Sequence, residues 1–116
     1  MDEKILKWLY DIQAAILEID TYFIHIEKNF FEYRQNTMLK RAVERDLEII
    51  GEAVNRIIKN DPEFISKISN AKAIIALRNQ VIHAYDNISD ENIWSILITH
   101  LPKLKGEIDG LIGTIQ

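Results

Sequence analysis

The 116-residue chain has the length of a single domain, residues 1–116, and 47% hydrophobic residues suffice for a packed core. A formal charge of −4 argues against a protein that coats nucleic acid through a broad basic face, although one local phosphate contact stays compatible with it. The chain has no cysteine, and His25, His83 and His100 are far apart in sequence, so we expect neither a metal site nor a cofactor.

One long hydrophobic stripe runs through the N-terminal part of the chain. Its apolar residues recur in alternating steps of four and three, which predicts an amphipathic helix that ends near Tyr33. The stripe comprises Ile5, Leu9, Ile12, Ile16, Ile19, Phe23, Ile26 and Phe30. Because the pattern stops there, burial in a short bundle is favoured over a coiled coil.

A second helix is predicted from a cap at Asn36 or Thr37 to about Asn60. Its inner stripe is Leu39, Val43, Leu47, Ile50, Val54 and Ile57. Near its start lie the basic residues Arg34, Lys40, Arg41 and Arg45. They form either a substrate or partner surface or, as such clusters more often do, a solvated helix face.

Gly51 interrupts the second helix. A glycine there costs about 1 kcal/mol relative to alanine, so it requires a compensating reason. We predict that Gly51 lets this helix approach the helix that carries Arg78, and that Glu52 thereby comes within pairing distance of Arg78.

Asp61 and Pro62 predict the start of a short helix through about Ile68, since aspartate suits the N-cap and proline the first helical position. Asn70 then precedes a further helix. Its buried side is expected to consist of Ile74, Leu77 and Val81.

A final helix follows a turn and cap at Asp86–Asn87 and Ser89–Asp90, and Pro102 should kink or loosen it. Its inward residues are Ile93, Leu97, Leu101, Leu104, Ile108 and Leu111. The predicted fold is all-α, an up-and-down bundle of four longer helices plus one short helix.

The segment from Arg78 to Tyr85 concentrates the chemically capable side chains. At 3.6 residues per turn, Arg78 and Tyr85 fall nearly in line, and Asn79 and His83 form an i,i+4 pair on the adjoining stripe. A guanidinium binds phosphate bidentately, and an imidazole can carry a proton either way near neutral pH. The segment therefore suggests binding or cleavage of a phosphate-linked substrate.

A structural interpretation of the same residues is favoured by residue types alone. Arg78 would pair with a carboxylate such as Glu52, His83 would be a hydrogen-bonded helix residue, and Tyr85 a core aromatic. Structural ion pairs perturb side chains as readily as active sites do.

Two sequence motifs favour the functional interpretation over the structural one. The string RNQVIHAY, residues 78–85, resembles the Arg-x4-His-x-Tyr signature of the HEPN superfamily, and specifically of the HepT-like toxins. The segment from Asp46 to Arg56 resembles that family's second helix, and residues 92–94 and 101–104 resemble its last one. The two long motifs occur in the family's order, and the resemblance extends over nearly the whole chain.

This resemblance implies a metal-independent endoribonuclease. Arg78 would hold the phosphate and His83 would move the proton, while Asn79, Tyr85 and Glu52 would support the site or contact substrate. It also implies a homodimer whose composite cleft collects Arg78 and His83 from both subunits.

The resemblance further implies a protein partner. In similar toxins, a cognate MNT-type nucleotidyltransferase antitoxin adenylylates the motif tyrosine, here Tyr85. No apolar run approaches the roughly 20 residues of a membrane span, and no signal peptide is recognisable, so we expect a cytoplasmic protein without membrane contact.

Two alternatives belong to other functional classes. The chain could be a non-catalytic adaptor that binds nucleotide or substrate for a partner nucleotidyltransferase. It could also be a structural dimerisation module in which Arg78, Glu52 and His83 form a buried polar network that fixes helix register.

Overall fold

The structure, a computed structural model, describes residues 2–82 and 89–115, and the side chains of these residues except 80–82. Every element in these ranges is helical. In chain order the elements are α1 (Glu3–Tyr22), α2 (Phe30–Gln35), α3 (Thr37–Asn60), a 3₁₀ helix (Pro62–Ser66), α4 (Ala71–Ile82), α5 (Asp90–Ser95), a π-helix (Ile96–His100) and α6 (Leu101–Ile115). Helix α1 packs on α3 and α6, and α4 packs on α3. The predicted all-α bundle is confirmed.

The first helix is shorter than predicted, because α1 ends at Tyr22 and a separate helix, α2, begins at Phe30. The side chain of Asn29 caps α2 by accepting hydrogen bonds from the backbone N–H groups of Phe31 at 2.8 Å and of Glu32 at 3.4 Å. The prediction of one continuous helix to Tyr33 was therefore wrong.

Aromatic packing explains why the hydrophobic spacing continues past the end of α1. The rings of Phe23, Phe30 and Tyr33 lie 6.2, 6.0 and 5.5 Å from the ring of Trp94 on α5. Phe23 reaches Trp94 from the α1–α2 connection, and Phe30 and Tyr33 reach it from α2. These three residues pack on the same ring, so their hydrophobic spacing continues although the helix itself ends at Tyr22.

Helix α3 forms the centre of the bundle and matches its prediction. The side chain of Asn36 accepts a hydrogen bond from the backbone N–H of Leu39 at 3.0 Å, so Asn36 is the N-cap, and the helix ends at Asn60. All six residues of the predicted inner stripe are buried. Burial of this face against α1 and α4 is the main stabilising contribution of the helix.

Residues 61–70, the segment that leads into α4, determine where this helix begins. Asp61 caps the 3₁₀ helix at Pro62, as predicted for that position. Asn70 has a φ of 61°, a left-handed conformation that asparagine tolerates better than most residues. The backbone N–H and hydroxyl of Ser69 donate to the carboxylate of Glu107 on α6, the hydroxyl at 2.5 Å. This link ties the lead-in of α4 to the C-terminal helix.

The predicted final helix consists of three consecutive segments, α5, the π-helix and α6. Ser89 caps α5 by accepting from the N–H of Asn92 at 3.1 Å. Pro102 has no backbone N–H, so it cannot donate the i→i−4 bond to Ile98, and the wider π turn ends at His100, two residues before it. The expected loosening near Pro102 therefore takes the form of a π-helix. Toward the end of α6, Ile112 is buried and Leu111 only half-buried.

Asp46 is a charged residue buried in the core, with 2% of its surface exposed. The hydroxyl of Tyr22 lies 2.7 Å from an oxygen of Asp46 and 2.7 Å from an oxygen of Glu18. A phenol has one proton, so both short contacts can be hydrogen bonds only when one carboxyl group is protonated. Burial raises the pKa of Asp46 to about 6 from an ordinary 3.8, against the opposing effect of the Tyr22 hydrogen bond.

The raised pKa predicts that Asp46→Asn becomes more stable relative to wild type as the pH rises from about 4 to about 6. In that window the folded chain holds a proton on Asp46 that the unfolded chain has lost, so wild-type stability falls with rising pH. The pH-dependent change in the difference between the unfolding free energies of Asp46→Asn and wild type is at most about 3 kcal/mol, and the difference is constant above pH 7. Urea unfolding at several pH values measures it, with Asp11→Asn as control, because Asp11 is only half-buried and pairs with Lys7. A pH-independent difference for Asp46→Asn would contradict the assignment.

Candidate active site

Helix α4 carries Arg78 and is held against α3 at Gly51. A Cβ atom built on Gly51 would overlap the Cβ of Arg78, and would lie 3.0 Å from both the Cγ of Arg78 and the carbonyl oxygen of Ile74. The two helices therefore touch at a point where only glycine leaves enough space. The predicted role of Gly51 in close helix approach is confirmed.

The guanidinium of Arg78 is half-buried and only partly satisfied. Its Nη1 donates a hydrogen bond of 2.9 Å to the side-chain oxygen of Asn79. Its Nε is buried and has no hydrogen-bond partner in the described part of the chain. A buried donor without a partner costs about 1–3 kcal/mol, so the described part of the chain leaves the hydrogen-bonding capacity of this guanidinium incompletely used.

Glu52 does not pair with Arg78. Its carboxylate instead accepts a hydrogen bond of 2.8 Å from Arg56, one turn further along α3. The i,i+4 spacing of Glu52 and Arg56 on one helix explains this choice, since the pair forms without any contribution from α4. The expected pair between Arg78 and Glu52 is absent, and Arg78 has no carboxylate partner among residues 2–82 and 89–115.

The remaining predicted site residues divide into two groups. Asn79 is exposed at the surface of α4. His83 and Tyr85 lie outside the described residues, and so does the side chain of Val81. The consecutive residues Arg78 and Asn79 are thus joined by a side-chain hydrogen bond, and His83 and Tyr85 follow Asn79 four and six positions later in the sequence.

The basic cluster near the start of α3 consists largely of paired charges. Lys40 lies 3.4 Å from Asp90, Arg41 3.6 Å from Glu44, and Arg45 3.4 Å from Glu48. Arg34 lies over the ring of Phe31 at 6.0 Å. These contacts favour the solvated helix face over a phosphate-binding surface.

A groove beside α4 was not predicted from the sequence. It has a volume of about 440 Å³ and lies between α4 and the helix formed by α5, the π-helix and α6. Ile74 and Leu77 of α4 line one wall, and Ile96, His100 and Lys103 line the other. The sequence feature that relates to this groove is the i,i+3 spacing of His100 and Lys103 beside Pro102. This spacing alone does not predict a groove.

Two further properties concern the described residues alone. Within them, no helix is both long enough and apolar enough to cross a membrane. Across the same ranges, histidine, aspartate and glutamate side chains form no group of three or more that could hold a metal ion.

The fold and the site place the chain among small all-α bundle proteins with an arginine on α4. Comparison with known sequences shows which family it belongs to. The family model described as "Ribonuclease HepT-like" matches residues 12–111. The chain belongs to this HepT-like ribonuclease family, part of the HEPN superfamily.

Individual relatives agree with the family assignment. A Methanocaldococcus jannaschii protein whose name describes it as a candidate RNase is 38% identical over 104 residues, which cover 88% of this chain and 91% of that protein. A second candidate RNase from the same organism is 37% identical over 112 residues, covering 94% and 88%. A Thermococcus cleftensis protein named as a candidate ribonuclease HepT is 31% identical over 104 residues, covering 90% and 92%. No solved structure matches the chain significantly.

Proposed function

We propose that this protein is a metal-independent endoribonuclease that cleaves RNA with Arg78 and His83. The observation that carries the proposal is the state of Arg78, whose Nε is buried and unpartnered in the described part of the chain and whose charge no carboxylate there neutralises. The contact with Gly51 fixes the start of the Arg78 side chain, and His83 follows Arg78 after four residues. Membership of a ribonuclease family supports RNA as the substrate.

The proposed reaction uses the ribose 2′-hydroxyl as nucleophile. Its oxygen attacks the adjacent phosphorus, the bond from phosphorus to the 5′-oxygen breaks, and the products carry a 2′,3′-cyclic phosphate and a 5′-hydroxyl. His83 moves the proton, and Arg78 stabilises the negative charge that develops on the phosphoryl oxygens. Because proton transfer and charge stabilisation both come from side chains, the reaction requires no metal ion. DNA lacks the 2′-hydroxyl and should not be cleaved.

The supporting residues have separate proposed roles. Asn79, whose side-chain oxygen accepts from Arg78, orients the guanidinium toward the phosphate. Glu52 makes no direct contact with Arg78, since Arg56 holds its carboxylate on α3. Tyr85 contacts the substrate through its ring or hydroxyl. A homodimer would join two such sets of residues in one cleft.

The test of this function is cleavage of RNA by the purified protein in the presence of a metal chelator. Wild type should cut RNA, and His83→Ala should not. Full activity of His83→Ala, or activity that is lost with the chelator, would reject the proposed mechanism.

We further propose that the protein is the toxin of a toxin–antitoxin pair, and that a cognate MNT-type nucleotidyltransferase inactivates it by adenylylating Tyr85. AMP on Tyr85 would place a bulky anion close in sequence to Arg78, where it would compete with the RNA phosphate for the guanidinium. The prediction is that incubation with the partner enzyme and ATP adds the mass of AMP to wild type and not to Tyr85→Phe.

Intact-mass spectrometry followed by peptide mapping measures this modification. Tyr10→Phe is the matched control, since it removes a phenol from α1, and it should be labelled like wild type. Equal labelling of wild type and Tyr85→Phe would reject Tyr85 as the acceptor.

A further inference from the structure

The groove between α4 and the C-terminal helix combines an apolar floor with polar groups at its mouth. Ile74, Leu77 and Ile96 are half-buried and Leu104 is buried, whereas His100 and Lys103 are exposed. Its volume of about 440 Å³ lies within the range of small-ligand sites. The groove is therefore large enough for a ligand with one flat apolar part and one charged part.

The charge at the mouth of the groove favours an anion. Lys103 has no ion pair in the described part of the chain, in contrast to Lys40, Arg41 and Arg45 of α3. The acidic residue of the groove, Glu107, is engaged by the backbone N–H and hydroxyl of Ser69. Lys103 is therefore the cation of this groove that remains available to a phosphate, while Ser69 holds the carboxylate of Glu107 by hydrogen bonds.

The π-helix places His100 at this mouth. Ile96 and His100 both line the groove, although they mark the two ends of the π-helix, and Lys103 follows on the first turn of α6. π-Helical segments occur frequently at functional sites. The irregular segment before Pro102 thus gives the groove an imidazole and an ammonium group on one side.

The groove begins one residue before Arg78 in the sequence of α4. Leu77 lines it and directly precedes Arg78, whose Cβ lies against Gly51 of α3. A strand whose phosphate is bound by Arg78 could continue along the groove toward Asn70. Asn92 and Ser95 of α5, which also line the groove, offer hydrogen bonds to a base edge.

We propose that this groove is a subsite for one nucleotide of the RNA strand beside the scissile phosphate. Lys103 and His100 bind its phosphate, and the aliphatic floor packs against its base. This proposal rests on the proposed ribonuclease function and extends it, because it assigns substrate binding to residues outside the Arg-x4-His-x-Tyr motif.

The experiment measures binding of a hexanucleotide RNA whose ribose 2′-hydroxyls are methylated, so that it cannot be cleaved. Fluorescence anisotropy should give an affinity about fivefold weaker for Lys103→Ala than for wild type, and a larger loss for Lys103→Glu. The slope of the logarithm of the binding constant against the logarithm of salt concentration should also become shallower by about 0.7 in Lys103→Ala. His100→Ala should weaken binding in the same direction.

Lys4→Ala is the matched control, because it removes the same charge from the exposed first turn of α1. The subsite proposal is overturned if Lys103→Ala and Lys4→Ala bind the hexanucleotide equally while Arg78→Ala loses binding, and the ribonuclease proposal then stands. If Lys103→Ala weakens binding but wild type cleaves no RNA, the subsite stands and the ribonuclease proposal fails. If Lys103→Glu shifts only the sedimentation behaviour and leaves RNA affinity unchanged, the groove binds a second copy of the chain and the proposal fails.

Discussion

His83→Ala is expected to lower the rate constant of RNA cleavage by about two to four orders of magnitude, which is the usual contribution of a positioned general acid or base. Arg78→Ala should cost about two to three orders of magnitude, comparable to removal of one group that stabilises a developing oxyanion. The expected loss is in kcat rather than only in KM, since both groups act on charge that is greatest in the transition state. Initial rates with a fluorescent RNA and excess chelator measure both effects.

Arg78→Lys separates charge from geometry. Lysine keeps the positive charge but lacks the planar fork, and the buried Nε of Arg78 has no equivalent in lysine. We therefore expect Arg78→Lys to remain impaired by at least about tenfold. Arg56→Lys is the control, because Arg56 is an exposed arginine on α3 that pairs with Glu52. Wild-type kcat in both Arg78 variants would remove Arg78 from the mechanism.

The parts of the fold that were predicted correctly depend on short stretches of sequence. The α3 stripe and its cap at Asn36 involve residues three or four positions apart, so their spacing alone specifies them. The end of α1 was mispredicted because Phe23 and Phe30 continue the helical spacing while packing on Trp94, a residue distant in sequence. Spacing cannot distinguish a helix stripe from separate segments that share one partner.

The candidate site shows the same division between local and distant effects. The glycine at position 51 indicated close helix contact, and the structure places it against Arg78. The predicted pair between Arg78 and Glu52 failed because Arg56, on the same helix as Glu52, already supplies the cation. The groove was not predictable, because it depends on how far α4 and the C-terminal helix separate after Ser69 and Glu107 join them.

Gly51→Ala is expected to destabilise the protein by about 1–3 kcal/mol, although alanine is the better helix former by about 1 kcal/mol. The added methyl group would overlap the Cβ of Arg78, which is attached directly to the backbone and cannot rotate away. The helices α3 and α4 must therefore move apart, and this movement displaces Arg78. Because small misplacements of a catalytic group reduce turnover strongly, kcat should fall together with stability.

Gly106→Ala on α6 is the matched control for Gly51→Ala. A Cβ on Gly106 would meet no atom within 4 Å, so this substitution gains helix propensity without a clash and should stabilise the protein by about 0.5–1 kcal/mol. Urea unfolding of the two variants should thus give changes of opposite sign for the same chemical substitution. If Gly51→Ala were as stable as Gly106→Ala and as active as wild type, the contact between α3 and α4 would not be what positions Arg78.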